Sequence, residues 1–163
     1  MKIAITGHRP NKLGNDYDLT SPLIQTIEAE LQTIINGLRP TLMISGMALG
    51  IDTLWAELAI ENEIPFIAAI PCENQCERWI QKSKDRYGSI IQHPLCKQVV
   101  LSEEYSHTCM QKRNEWMVNN CDVLIAVWDG TPGGTGNCVK YAQKKGVQIV
   151  LVDPNKHRKH LSI

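Results

Sequence analysis

Aromatic side chains are scarce in this chain: one phenylalanine in 163 residues, with Phe, Trp and Tyr together at 6%. Excess charge of either sign is absent too, because Lys plus Arg and Asp plus Glu stand at 17 each. A dedicated duplex-nucleic-acid surface needs a basic stripe, so that class is disfavoured and any anion site must be local. No apolar run approaches the roughly 20 residues that cross a bilayer. The opening MKIAITGHRP also lacks the apolar core of a secretory signal. The expectation is therefore a soluble, cytoplasmic protein. There is no low-complexity segment and no repeat beyond a recurring strand-to-helix unit, and the length suits one domain with a sizeable core.

Without an export signal, Cys72, Cys76, Cys96, Cys109, Cys121 and Cys138 read as free thiols rather than a disulfide framework. Cys72, Cys76, His93 and Cys96 have a spacing that hints at zinc. The two pairs flank a predicted helix, however, and a C-x3-C gap is common by chance, so neither metal nor cofactor is expected.

What the chain does have is VLIAVWDGTPGGTGN, Val123 to Asn137. Val123 to Trp128 is an unbroken apolar run, as in a parallel strand covered on both faces. Asp129, Gly130, Gly133, Gly134, Thr135, Gly136 and Asn137 follow, and a helical pattern with Val139, Tyr141 and Ala142 runs to Lys144, Lys145 and Gly146. A glycine-rich turn between strand and helix brings main-chain N–H groups to a helix N-terminus, where phosphate is well received.

The same grammar recurs along the chain. KIAIT (Lys2 to Thr6) reads as a strand that stops at Gly7, and the polar segment after it carries His8, Arg9 and Lys12. Ser21-Pro22 starts a helix whose Leu23, Ile24, Ile27, Leu31, Ile34, Ile35 and Leu38 share one face until Pro40. TLMIS (Thr41 to Ser45) is a second strand, and Gly46 to Gly50 turns it into a helix with Asp52 in its first turn and Glu57 beyond. Strands at Pro65 to Ile70, Lys97 to Leu101 and Val147 to Val152 complete six. A third helix is predicted to carry Trp79 and Tyr87 and to end near His93-Pro94. On a fourth, Met110, Arg113 and Met117 fall on one stripe, so Arg113 should face inward and meet a carboxylate such as Asp52 or Asp129, or a ligand anion. Strands alternating with helices specify a Rossmann-like, doubly wound, mostly parallel sheet with helices on both faces, and ligands outside the carboxyl ends of its strands.

TGHRP-x-KLG at Thr6 to Gly14, SGMALGIDTLWAELA at Ser45 to Ala59, RNEWMV at Arg113 to Val118 and DVLIAVWDGTPGGTGN at Asp122 to Asn137 resemble the YpsA-like branch of the SLOG superfamily. That superfamily groups Rossmann-like domains related to the DNA-processing protein DprA and to the Lonely Guy hydrolases. The resemblance implies a domain over residues 1–153 followed by a polar, basic tail at 154–163 containing His157, Arg158, Lys159 and His160. It also implies a nucleotide-derived ligand, since members bind or process such molecules and some sense NAD-derived signals. Lonely Guy hydrolases carry M-x-x-R-K-x-x-M and P-G-G-x-G-T-x-x-E. Here Met110, Arg113, Asn114 and Met117 match the first, while Lys140 replaces the final glutamate of the second. A lysine that is cationic at neutral pH is no general base and cannot stabilise an oxocarbenium ion.

Three functions follow as expectations. The first is binding of an ADP-ribose-like molecule or nucleoside phosphate by a sensor or sequestering protein. Its site would draw on Gly7, His8, Arg9, Ser45, Gly46, Gly50, Asp52, Arg113, Asn114, Asp129, Gly130, Gly133, Gly134, Thr135, Gly136 and Asn137, with Ser45, Asp52 or Asn137 on ribose or base. The second is an N-glycosidic hydrolase or transferase using Glu57 or Asp52 as its carboxylate. The third, single-stranded nucleic-acid binding, is weakened by the zero net charge and few aromatics, although Tyr17, Tyr105 and Trp128 are available. Four Trp and five Met exceed the needs of loops, so a homo-oligomer is expected.

Overall fold

The apolar run forms strand β5 (Val123–Val127), buried at every position, because it lies between β1 (Lys2–Gly7) and β6 (Gln148–Val152). The computed structural model describes residues 1–156. The remaining strands are β2 (Leu42–Ser45), β3 (Phe66–Ile70) and β4 (Cys96–Val100). The sheet order is β4-β3-β2-β1-β5-β6, and every pairing is parallel. The chain moves outward from β1 to β4, then returns to the other side of β1 for β5. The two central strands therefore diverge in their connections and leave a crevice beyond their carboxyl ends. Their register, with Thr6 opposite Ala126 and Gly7 opposite Val127, brings both strand ends to that crevice together.

Five helices cover the sheet: α1 (Pro22–Leu38), α2 (Ile51–Glu61), α3 (Gln81–Ile91), α4 (Cys109–Asn119) and α5 (Gly134–Lys145). The Ser21 hydroxyl accepts the Ile24 N–H at 3.3 Å and Pro22 occupies the first turn, as the start of α1 demands. Alternate strand residues divide the core between the two faces. Ile3, Ile5, Met43, Phe66 and Ile125 pack with apolar residues of α1, α2 and α3, whereas Ala4, Ile44, Ala69 and Leu124 pack with Met117, Val118, Cys138 and Ala142 of α4 and α5. No helix among the described residues is long and apolar enough to cross a membrane.

Two boundaries differ from the sequence expectation. Trp79 precedes the third helix. The segment 72–79 instead makes successive tight turns, with Gln75, Glu77 and Trp79 donating to the carbonyls of Cys72, Asn74 and Cys76, and Trp79 meets Tyr87 edge-on. Gly134 to Asn137, expected as loop, is the first turn of α5, because Gly130 at φ 89° and Gly133 at φ 144° take up the reversal before it. The expected basic tail from His157 onward lies outside the described residues.

Glycines test this packing in opposite directions. Gly88→Ala, in α3 with nothing within 4 Å of a new Cβ, should stabilise by about 0.5–1 kcal/mol through helix propensity. Gly7→Ala, whose Cβ would meet Ile51 at 2.6 Å, should destabilise by about 1–3 kcal/mol. Urea denaturation of the two variants reads both signs.

Candidate functional site

At the crevice, β1 ends in Gly7 and hands the chain to His8, whose side chain is buried. Its Nε2 lies 2.9 Å from Oδ1 of Asp129, just past the end of β5. The same carboxylate oxygen accepts the Thr131 N–H at 3.0 Å and the Thr131 hydroxyl at 2.5 Å. Burial would raise the Asp129 carboxyl, but these hydrogen bonds from Thr131 and His8 outweigh it and hold the group well below its usual range. Trp128 Nε1 donates to the Thr131 carbonyl at 2.7 Å. From the short helical turn Pro10–Lys12, Lys12 Nζ donates to Thr131 Oγ1 at 3.2 Å and to the Pro132 carbonyl at 3.4 Å. Residues 128–132 are thus pinned from both sides, and they aim the start of α5. The leading N–H groups of that helix have no intrahelical acceptor and carry the positive end of its dipole.

Beside this terminus comes α4, whose Asn114 Nδ2 donates to the Gly134 carbonyl at 3.4 Å and whose Arg113 is 6% exposed. Nη1 donates to the Gly46 carbonyl at 2.6 Å and Nε to Asn114 Oδ1 at 2.9 Å. A guanidinium has five N–H donors. The two bonds leave three without an acceptor among the described residues. Asp52 Oδ2 stands 4.0 Å from Nη1 and accepts the Ala48 N–H at 3.2 Å. Burial pushes the Asp52 carboxyl up against the pull of Arg113, and the same burial disfavours the Arg113 charge that Asp52 supports. Arg113 nevertheless remains a cation, because guanidinium does not lose its proton in proteins.

These groups enclose a cavity of about 350 Å³. Of the residues expected from sequence, Gly7, His8, Arg9, Asp52, Arg113, Asn114, Gly133, Gly134 and Thr135 line it. Others stand behind its wall. Ser45 is fully buried, with its hydroxyl donating to the Asp52 carbonyl at 2.6 Å and accepting the Met47 N–H at 3.1 Å, so it braces the start of α2. Gly46 makes room for Arg113, whose guanidinium a Cβ there would strike, and Gly50 lets the His8 carbonyl approach. Asp129 and Gly130 shape the loop. Gly136 packs against Trp128, and Asn137 is exposed outside the cavity.

Glu57 requires a correction. It does not line the cavity. Its carboxylate meets Arg86 of α3, with Oε1 at 2.7 Å from Nε and 2.6 Å from Nη2. Five residues separate it from Asp52, which turns it about 140° around α2. Lys140 is exposed and also outside the cavity. Among the described residues no group of three or more His, Cys, Asp or Glu could hold a metal ion; Cys72 is buried and His93 Nδ1 accepts the Leu95 N–H. Thr6, Asn11, Lys12, Ala48, Met110, Met117, Thr131 and Pro132 line the cavity beyond expectation. Thr6 ends β1, Met110 and Met117 share the helical stripe of Arg113, and the loop residues among them carry no periodic signal that could have marked them.

A protein of Bacillus subtilis (strain 168), described as the uncharacterized SPbeta prophage-derived protein YoqJ, is 34% identical over 155 residues, covering 84% of this chain and 88% of its own. A UPF0398 protein of Bacillus cereus (strain B4264) is 26% identical over 154 residues, covering 88% and 83%. Among solved structures, DNA processing protein A (DprA) from Streptococcus pneumoniae superposes with a TM-score of 0.59 at 23% identity over 92% of this chain. This chain spans about half, 49%, of that DprA. DprA from Helicobacter pylori, described by its single-stranded DNA binding mode, gives 0.59 at 21% identity, covering 99% of this chain and 73% of the other. Those likenesses show a shared fold. The model of the YspA SLOG family matches residues 3–156, and this chain belongs to that family.

Proposed function

We propose that the chain binds a nucleotide-derived small molecule, either ADP-ribose-like or a nucleoside phosphate, as a sensor or sequestering protein. The observation that carries this reading is the buried guanidinium of Arg113, with three N–H donors unmatched among the described residues, lining the same cavity as the N-terminus of α5. A phosphate between them would complete the hydrogen bonding of both, in the manner of anion sites at helix N-termini. Arg9, exposed and also lining the cavity, adds cationic charge. Self-association belongs to the same proposal, and light scattering reads it.

A second reading, cleavage or transfer at the N-glycosidic bond, has one observation in its favour. Asp52 is the only carboxylate among the described residues lining the cavity, and burial raises its pKa, which suits a general acid. With Glu57 turned away and Lys140 exposed, Asp52 alone would serve.

The test is a panel of nucleoside monophosphates, NAD, ADP-ribose, cyclic ADP-ribose and a short single-stranded oligonucleotide, reading thermal shift and released base. Stabilisation by a phosphate-bearing small molecule without released base is expected. Arg113→Ala should weaken that ligand about 10- to 150-fold, the size of one or two charged hydrogen bonds. A fall in melting temperature with no ligand effect would instead make Arg113 structural.

For the enzymatic reading, Asp52→Asn should abolish base release while leaving binding in place. Release should also fall as pH rises through the elevated Asp52 pKa, because a general acid must hold its proton. Base release unchanged in Asp52→Asn would remove Asp52 from the chemistry.

A further inference from the structure

Two buried thiols stand beside Arg113. Cys72 follows the end of β3, where the chain enters the tight turns of residues 72–79, and Cys109 is the first residue of α4. Four residues, about one helical turn, separate Cys109 from Arg113, so the two share a face of α4. The turns after β3 are held against that helix. The Gly46 carbonyl accepts both Gln75 Nε2 at 3.3 Å and Arg113 Nη1 at 2.6 Å. An outer cavity of about 370 Å³ is lined by Cys72 and Gln75 from the turns, together with Tyr105 before α4 and Met110 within it. Across this junction the Cys72 and Cys109 thiols lie within hydrogen-bonding reach of each other.

Neither thiol lines the cavity of the crevice. As packing, the pair does no more than two small apolar residues would, and what cysteine adds is oxidation chemistry. Access differs between the two. Cys72 is part of the outer cavity's wall, whereas Cys109 does not line it and is 0% exposed. A small oxidant entering there meets Cys72 first. Burial and the neighbouring Cys109 push the Cys72 thiol up, and the Asn74 N–H and the Arg113 guanidinium pull against them. The pair therefore rests as thiols near neutral pH, with a cation beside it to support the thiolate that reacts.

We propose that Cys72 and Cys109 are an oxidisable dithiol, closed to a disulfide by a hydroperoxide that enters the outer cavity. The Cys72 thiolate attacks the terminal peroxide oxygen and the O–O bond breaks, leaving Cys72 as a sulfenic acid. The departing hydroxide or alkoxide takes up the proton that the thiol gave. The Cys109 sulfur then attacks the Cys72 sulfur, the S–O bond breaks, and water leaves with the Cys109 proton. Two thiols are oxidised by two electrons in all, and one peroxide is reduced. The bridge joins the carboxyl end of β3 to the first turn of α4, the helix that carries Arg113. It does not depend on what the cavity of the crevice binds.

Treating the folded full chain with hydrogen peroxide, capping the remaining thiols with iodoacetamide and mapping the peptides by mass spectrometry tests this. Free thiols should fall from six to four, with Cys72 joined to Cys109. Dithiothreitol should restore all six. The bridged protein should melt about 5–10 °C higher, because the cross-link restricts the unfolded chain. Cys72→Ser and Cys109→Ser should each abolish the bridge, and Cys76→Ser should leave it; the wild-type map stands whether or not those variants fold. Six intact thiols after peroxide treatment would overturn the proposal. So would a bridge between any other pair, a bridge that forms only in urea, or Cys72 carried on to sulfinic acid while Cys109 stays free.

Discussion

A guanidinium held inside the protein is the constraint from which the rest of the crevice follows. Taking a cation out of water is costly unless its donors are matched. The protein matches two of the five with the Gly46 carbonyl and Asn114, and supplies a counter-charge at Asp52. Each partner sets a further requirement. Position 46 must lack a side chain, because any Cβ would occupy the guanidinium's place. Ser45 must brace the start of α2, so that Asp52 arrives beside Arg113.

The α5 end of the crevice is built from a different set of bonds. The Asp129 carboxylate gathers Thr131 and His8, Trp128 holds the Thr131 carbonyl, and Lys12 reaches across from the β1 side. The outcome is a loop whose side chains fix its shape and leave Gly133, Gly134 and Thr135 on the cavity wall. The same division explains why Asp129, conspicuous in the sequence, stands behind the wall rather than on it.

Binding and turnover are separated by one functional group. The arginine and the glycine turn of the Lonely Guy pattern are present, but the final acid of that pattern is replaced by the exposed Lys140. Of the two substitute carboxylates, only Asp52 reaches the cavity. It is already engaged by Ala48 and by the charge of Arg113, which favours a role in holding the cation over one in passing protons.

Period and punctuation made the architecture readable before any coordinates. Unbroken apolar runs specify buried parallel strands, Ser21-Pro22 and Pro40 bound the first helix, and the Met110, Arg113 and Met117 stripe turns Arg113 inward, because backbone geometry repeats locally. Contacts distant in sequence carry no such period. Glu57 and Asp52 look equivalent along α2, and only the packing of α3, which brings Arg86 to Glu57, divides them. Gln75 and Tyr105 showed nothing that marked them as neighbours across a cavity. The sequence by itself determined the order of strands and helices, the glycine turn and the inward arginine. Tertiary structure decided which carboxylate faces the crevice and which loops share it, since those depend on distances between segments that no local pattern encodes.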